Sequence, residues 1–282
     1  MFKKLLSLSL LSLGLMGCSF GDKSQEQSTT PPLVEAVPKF VDYKINKIYE
    51  ELGPCSTDST TRKCLIVNIE YPEITGVVSN KVMAKLNENI QNDILSSTFL
   101  SDTPTNFQGL TAELETDYNK IITDFPDYDN PWNLEVNSDI LYQDSLFISL
   151  ASTIFSYTGG AHPNSGQLYR SYDLRTGEAI DLNQLLVAGF EKELNEAAEI
   201  EFRMTKEIPP NESLEDRGFW FLNDSFELNQ NFAIINQSLI FYYNPYEIGP
   251  YSLGATELEL KLTDFVNLIK DGSVIESYQT KD

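Results

Sequence analysis

Between residues 78 and 94 the apolar side chains Val78, Val82, Leu86, Ile90 and Ile94 recur at every fourth position, with Lys81, Lys85, Asn87 and Asn89 between them. That period predicts an amphipathic helix laying one stripe on a sheet. Leu110, Leu114, Tyr118 and Ile121 repeat the pattern and predict a second helix over 107–125. A third, over 190–204, turns Phe190, Leu194, Ala198 and Phe202 inward and Glu191, Glu193, Glu196 and Glu199 to water. Asp181 followed by Gln184 has the form of a capping box and opens a short helix before it.

Elsewhere the period is two. Residues 41–52 and 64–71 predict a strand pair, the second rich in β-branched side chains. Residues 133–142 and 145–157 predict a hairpin about Gln143-Asp144. Its second arm is apolar on both faces, the signature of a strand covered twice. Further strands are expected at 168–174, 219–223, 232–235 and 238–243. At 256–262, Thr256, Leu258, Leu260 and Leu262 alternate with charged residues. Asp264 is expected to cap a last helix through Ile269. Hairpins mixed with helices, without regular βαβ alternation, predict an α+β fold of two small domains in tandem, each an antiparallel sheet with helices. The expected boundaries are 40–158 and 159–272, with a C-terminal tail over 273–282.

The N-terminus follows another rule. Lys3 and Lys4 precede an apolar run from Leu5 to Leu15, and Leu15-Met16-Gly17-Cys18 closes it. This is the layout of a signal peptide over 1–17 that ends in a lipobox, with Cys18 as the lipidated residue of the mature chain. The run is too short to cross a bilayer comfortably. Residues 18–39, beginning with that cysteine, are rich in Ser, Thr, Gln and Pro and read as a flexible tether. Ser19 rather than an aspartate follows the cysteine, so the expected destination in a two-membrane cell is the outer membrane. With Cys18 assigned to lipid, Cys55 and Cys64 remain as a pair, expected to form a disulfide in an oxidising compartment.

Charge excludes one class of partner. The chain carries 42 acidic and 20 basic residues, a net of −22; removing residues 1–17 takes away two lysines and makes it −24. Nucleic acid needs a basic footprint, so it is not an expected partner. An acidic surface keeps a protein soluble and accelerates encounters with cationic proteins. A single histidine and two further thiols argue against a metal centre, and no cofactor is implied. Asp124, Asp127, Asp129 and Asn130 suggest calcium. Pro126 and Pro131 interrupt them, and the glycine and distal glutamate of a calcium loop are missing, so a solvated loop is expected.

Two segments carry chemistry. Tyr157-Thr158-Gly159-Gly160-Ala161-His162-Pro163-Asn164 leads through Tyr169 to Tyr172-Asp173-Leu174-Arg175-Thr176-Gly177. Phe241-Tyr242-Tyr243-Asn244-Pro245-Tyr246-Glu247-Ile248-Gly249-Pro250-Tyr251 follows later. Glycines free the backbone to turn out of a buried strand, and prolines stiffen a loop that presents tyrosines. His162 with Ser165 invites a nucleophile reading. That chemistry also needs an orienting acid and an oxyanion hole, and no Gly-x-Ser-x-Gly elbow appears. Whether the tyrosines face a partner or pack the loop onto its sheet is open at this stage.

These segments resemble the two-part extracytoplasmic module shared by PdaC-type peptidoglycan deacetylases, as an accessory N-terminal region, and RsiV-type anti-sigma factors. The resemblance runs from about Tyr43 to Ile269 and is most specific in Gly-Gly-Ala-His and Asn-Pro-Tyr-Glu-Ile-x-Pro-Tyr. In the anti-sigma members the module binds lysozyme, so it implies recognition of a cell-wall-directed protein or of the wall itself. The catalytic deacetylase domain and the sigma-holding segment of those families are not seen in this chain. The expectation is therefore a non-catalytic envelope lipoprotein that binds a cationic lysozyme-like glycosidase or peptidoglycan. The alternatives are a carboxylate-dependent hydrolase of wall glycans and a purely structural lipoprotein. The candidate binding surface is Tyr157, Gly159, Gly160, His162, Asn164, Tyr169, Asn244, Tyr246 and Tyr251.

Overall fold

Strand alternation begins at Asp42 and produces a sheet whose strands lie in chain order. In this computed structural model, which describes residues 41–53, 55, 63–98 and 104–279, β1 (Asp42–Leu52), β2 (Leu65–Gly76), β3 (Trp132–Gln143), β4 (Phe147–Tyr157) and β5 (Asn164–Asp173) form that sheet. Cys18, the signal peptide and the tether lie outside the described residues. Cys55 and Cys64 form the expected disulfide between the end of β1 and the start of β2.

Helices α1 (Asn80–Ser96) and α2 (Phe107–Asp124) connect β2 to β3. Ser79 and Asn106 cap them by accepting from the backbone N–H groups of Val82 and Gly109. Such a connection crosses over rather than turning back, so β2 and β3 run parallel while the other neighbours are antiparallel. An all-antiparallel first sheet was the expectation; the helical crossover between two strands is what changes it. Leu86, Ile90, Leu110, Leu114 and Tyr118 pack against Val67, Ile69, Leu134, Val136 and Ile154 to form the first core.

The second core surrounds Phe202. Short α3 (Leu182–Leu185) opens with the Asp181–Gln184 capping box, and α4 (Glu191–Thr205) follows. Leu194, Ala198 and Phe202 of α4 lie with Ile234, Leu239, Phe241, Leu258 and Leu260 of a three-stranded antiparallel sheet. Its strands are β6 (Phe232–Ile235), β7 (Ser238–Tyr243) and β8 (Thr256–Lys261). Phe219, Phe221 and Phe226 bring their rings to 4.9, 5.4 and 5.2 Å from that of Phe202.

Three expectations change here. Residues 219–223 form no strand: Asn223 and Asp224 take φ of 56° and 57° within a 3-10 turn, while Phe219 and Phe221 serve the aromatic core instead. The expected helix after Asp264 is a 3-10 turn, Leu262–Asp264, followed by a single β-bridge between Ile269 and Leu186. Val274 and Ile275, read as tail, are buried in the second core.

The expected division between residues 158 and 159 falls inside the β4–β5 hairpin, whose arms pair from Phe147–Asp173 to Ser156–Asn164. β4 is covered on both faces as its pattern predicts. Ile148, Leu150 and Ile154 enter the first core, Phe147 enters the second, and Ala151 joins Tyr169 and Ala233 in a small seam between the sheets.

Candidate functional site

The two sequence segments meet where the second sheet docks on β5. As the last strand of the first sheet, β5 has backbone groups facing away from β4, and buried groups of that kind require partners. Side-chain amides supply those at Gln167 and at the Tyr169 N–H. Asn244 accepts from the Gln167 N–H at 2.6 Å and donates to the Gln167 carbonyl at 3.1 Å. Asn231 accepts from the Tyr169 N–H at 2.7 Å and also donates to the Gln167 carbonyl, at 2.9 Å. Further along, the Ser171 carbonyl accepts from the Ile180 N–H, and the Asp173 N–H donates to the Glu178 carbonyl.

A buried hydroxyl pair completes the joint. Ser171 Oγ accepts from the Ile234 N–H, and Ser149 Oγ donates to the Ile234 carbonyl. The two hydroxyls are 2.7 Å apart, so Ser171 can donate to Ser149 and leave neither oxygen orphaned. Tyr169 donates its phenol to Glu257 of β8 at 2.6 Å. Burial, then this carboxylate, holds the Tyr169 phenol well above its ordinary pKa. Tyr169 is thus a structural contact between the sheets rather than an exposed binding residue.

On this foundation stands an exposed aromatic triangle. His162, at the tip of the β4–β5 hairpin, stacks on Tyr246 and Tyr251 of the β7–β8 loop with centroid distances of 6.1 and 5.8 Å. The two tyrosine rings are 5.5 Å apart. With its proton on Nδ1, His162 donates to the Pro163 carbonyl at 3.0 Å, and Nε2 then accepts from the Tyr246 hydroxyl at 3.3 Å. Ser165 is not among the hydrogen-bond partners of His162, so the structure does not assemble the nucleophile pair. Tyr246 and Tyr251 remain 49% and 54% exposed.

Both arms of the triangle are held by local chemistry. Tyr246 has φ of 69°, an unusual conformation for a bulky residue. Glu247 pins that turn by accepting from the Asn244 N–H at 2.8 Å and from the Asn229 side chain at 2.7 Å. Gly159 has φ of +94°, and a Cβ there would lie 2.5 Å from the Tyr128 hydroxyl, which itself accepts from the Trp132 indole. Glycine is required on both counts. Tyr157 donates to the Gly160 carbonyl at 3.1 Å and steadies the same tip. Asn164 lies exposed at the start of β5, beside the triangle's hairpin but in no contact with its rings that the geometry records.

The structure therefore gathers His162, Tyr246 and Tyr251 at the surface, uses Tyr157, Gly159, Gly160 and Asn244 to support them, and buries Tyr169. Sequence reasoning missed Asn231, Glu247 and Glu257, which do the positioning. Trp220 was also missed: its side chain is exposed, and its backbone N–H donates to the Ile248 carbonyl of the same loop. The polar run Asn229-Gln230-Asn231 just before a strand was the one available signal, since amides there can mimic a backbone. Among the described residues, no three His, Cys, Asp or Glu side chains come together as a metal site.

Two family models match successive parts of the chain. Residues 59–165 match the family described as Deacetylase PdaC, and residues 183–263 match a protein family of unknown function, DUF3298. The two stand in tandem, as the two-part module requires. A crystal structure of a DUF3298 family member from Bacteroides fragilis is similar with a TM-score of 0.65 at 17% identity, covering 86% of this chain and 100% of that one. A DUF3298 family protein from Pseudomonas aeruginosa PAO1 gives a TM-score of 0.60, also at 17% identity, covering 82% and 96%. At that identity the likeness concerns the fold. No curated protein matches the chain.

Proposed function

We propose that this two-part PdaC–DUF3298 module is carried by an envelope lipoprotein, anchored through Cys18, that binds a cationic lysozyme-like protein without catalysis. The observation that carries the reading is the exposed triangle of His162, Tyr246 and Tyr251, where the two resemblance-bearing segments come into contact. Pre-formed tyrosine surfaces give large contact area at low entropic cost and are frequent energetic centres of protein interfaces. The strained backbone at Tyr246 is consistent with selection for where that ring points. A net charge of −22 favours a basic partner through the speed of encounter.

Surface plasmon resonance of the purified chain against hen-type lysozyme, at several ionic strengths, tests this. The on-rate should fall as the Debye length shortens from about 10 Å at 0.1 M to about 3 Å at 1 M. Tyr246→Ala and Tyr251→Ala should each raise the off-rate about tenfold, in line with the loss of an interface anchor, without altering the salt dependence. No binding at low salt would remove a lysozyme-like partner and direct the same variants to soluble peptidoglycan fragments. Release of reducing sugar from peptidoglycan by the purified chain would replace binding with the carboxylate-hydrolase reading. For the anchor, labelling with a palmitate analogue should be lost in Cys18→Ala, and retained label would refute it.

A further inference from the structure

The first sheet has two edges, and only β5 is covered by the second lobe. At the other edge β1 is the terminal strand, an eleven-residue element with β2 as its strand neighbour. Edge strands of this length template pairing with another chain unless something blunts them. Along β1, Tyr43, Ile45 and Tyr49 share one face and remain 39%, 52% and 47% exposed. Lys44, Asn46, Ile48 and Glu50 share the other, where Ile48 reaches the first core and, with Glu50, borders an open groove against Phe107, Gln108 and Glu115 of α2.

We propose that β1 pairs antiparallel with β1 of a second copy of this chain, joining two five-stranded sheets into one. Facing residues in an antiparallel pair lie on the same side of the sheet, and sides alternate along a strand. A two-fold axis perpendicular to a continuous sheet therefore passes through a residue, not between residues. The register that overlaps the whole of Asp42–Leu52 puts Lys47 on that axis. Lys44 then faces Glu50 of the second copy, and by symmetry the pair occurs twice. Ile45 faces Tyr49 of the second copy, also twice, which gives one apolar patch on either side of the axial lysines.

Charge at the axis is compatible with this register. The two Lys47 side chains meet there, and each is 2.7 Å from its own Glu70. Lys44 is 3.0 Å from Glu73 and would lie between that carboxylate and Glu50 of the second copy. Opposite charges directly across a sheet junction are favourable, and like charges are not. Apart from the two axial lysines, each paired with its own Glu70, the strand is thus self-complementary in charge at Lys44–Glu50 and in apolar surface at Ile45–Tyr49, as an interface built from one patch used twice requires.

Cysteine trapping reads the register directly. In a Cys18→Ser background of the full chain, Lys47→Cys sits opposite itself and should give a covalent dimer of twice 31.9 kDa on non-reducing gels. Tyr43→Cys, displaced from its own copy by about eight strand positions, or roughly 26 Å, should not. Sedimentation equilibrium gives an independent readout. Lys44→Glu should weaken the dimer about tenfold through two like-charge contacts, and Lys44→Glu combined with Glu50→Lys should restore it. Both variants must keep the native circular dichroism spectrum. A wild-type chain that stays monomeric at every accessible concentration, or a dimer trapped by Tyr43→Cys rather than Lys47→Cys, would overturn the proposal.

Discussion

The two edges of the five-stranded sheet solve the same physical problem in opposite ways. At β5, backbone groups that would otherwise be unpaired are met by Asn231, Asn244, Ile180 and Glu178, and the Ser149–Ser171 pair in turn meets the backbone of Ile234 in β6. The second lobe docks there with amide side chains standing in for a neighbouring strand. At β1 no such lobe stands among the described residues; charged residues alternate with Tyr43, Ile45 and Tyr49. The difference teaches where specificity resides. The closed edge is rigid enough to hold an aromatic triangle in place, with Tyr246 kept in a strained conformation. The open edge retains the capacity to pair with another strand.

This contrast is breakable by substitution. The largest effect is expected at Asn231. Its replacement by alanine leaves the Tyr169 N–H without its partner and takes one of two amide donors from each of the Gln167 and Tyr242 carbonyls, which keep Asn244 and Asn229. At about 1–3 kcal/mol for one unsatisfied group and about 0.5–1.5 kcal/mol for each further hydrogen bond lost, Asn231→Ala should destabilise by roughly 3 kcal/mol in urea unfolding. A loss under about 0.5 kcal/mol would mean that the amide caps are incidental.

Tyr169→Phe should cost less, about 1–2 kcal/mol at neutral pH, for one hydrogen bond to a carboxylate. It also changes the pH dependence. Because the folded Tyr169 phenol is held above its ordinary value of 10.0, the unfolded chain ionises first as pH rises past that value. Stability is full below it and is lost progressively above it. Tyr172, Tyr243 and Tyr278 are shifted in the same direction, mainly by burial, and add to the alkaline loss. Tyr169→Phe should therefore flatten the fall in melting temperature above pH 10 relative to wild type. An unchanged slope would contradict the assigned bond.

The smallest effect belongs to the open edge. Lys44 is exposed and its partner Glu73, at 3.0 Å, is half-buried at the sheet surface, so Lys44→Glu should alter monomer stability by no more than about 1 kcal/mol. That makes it usable as a probe of pairing. A large loss of monomer stability would show that β1 depends on this lysine internally rather than presenting it.

Local elements were legible in the sequence because their signals are local. The four-residue period from Val82 to Ile94 gave α1, and two-sided apolarity placed β4 under cover on both faces. The capping box at Asp181 and the hairpin about Gln143-Asp144 needed no tertiary knowledge. The non-local parts were not legible. Nothing in Leu65–Glu70 specifies that its neighbour across the crossover runs parallel. Phe219 and Phe221 alternate like a strand, and only the packing around Phe202 turns them into core. At the site, the motif residues His162, Tyr246 and Tyr251 did converge, while Tyr169, from the same motif, is buried against Glu257. Asn231, the chief seal of the β5 edge, lies outside every motif.

Residue-resolved hydrogen exchange of the native chain compares the two edges in one measurement. The amides of Gln167 and Tyr169 should exchange far more slowly than those of an open edge, because the half-buried side chains of Asn244 and Asn231 accept from them in the joint. The alternate amides of β1 that face away from β2 should exchange rapidly in dilute solution and gain protection as protein concentration rises. Fast exchange at Gln167 and Tyr169, or protection of the β1 edge that does not depend on concentration, would contradict the account.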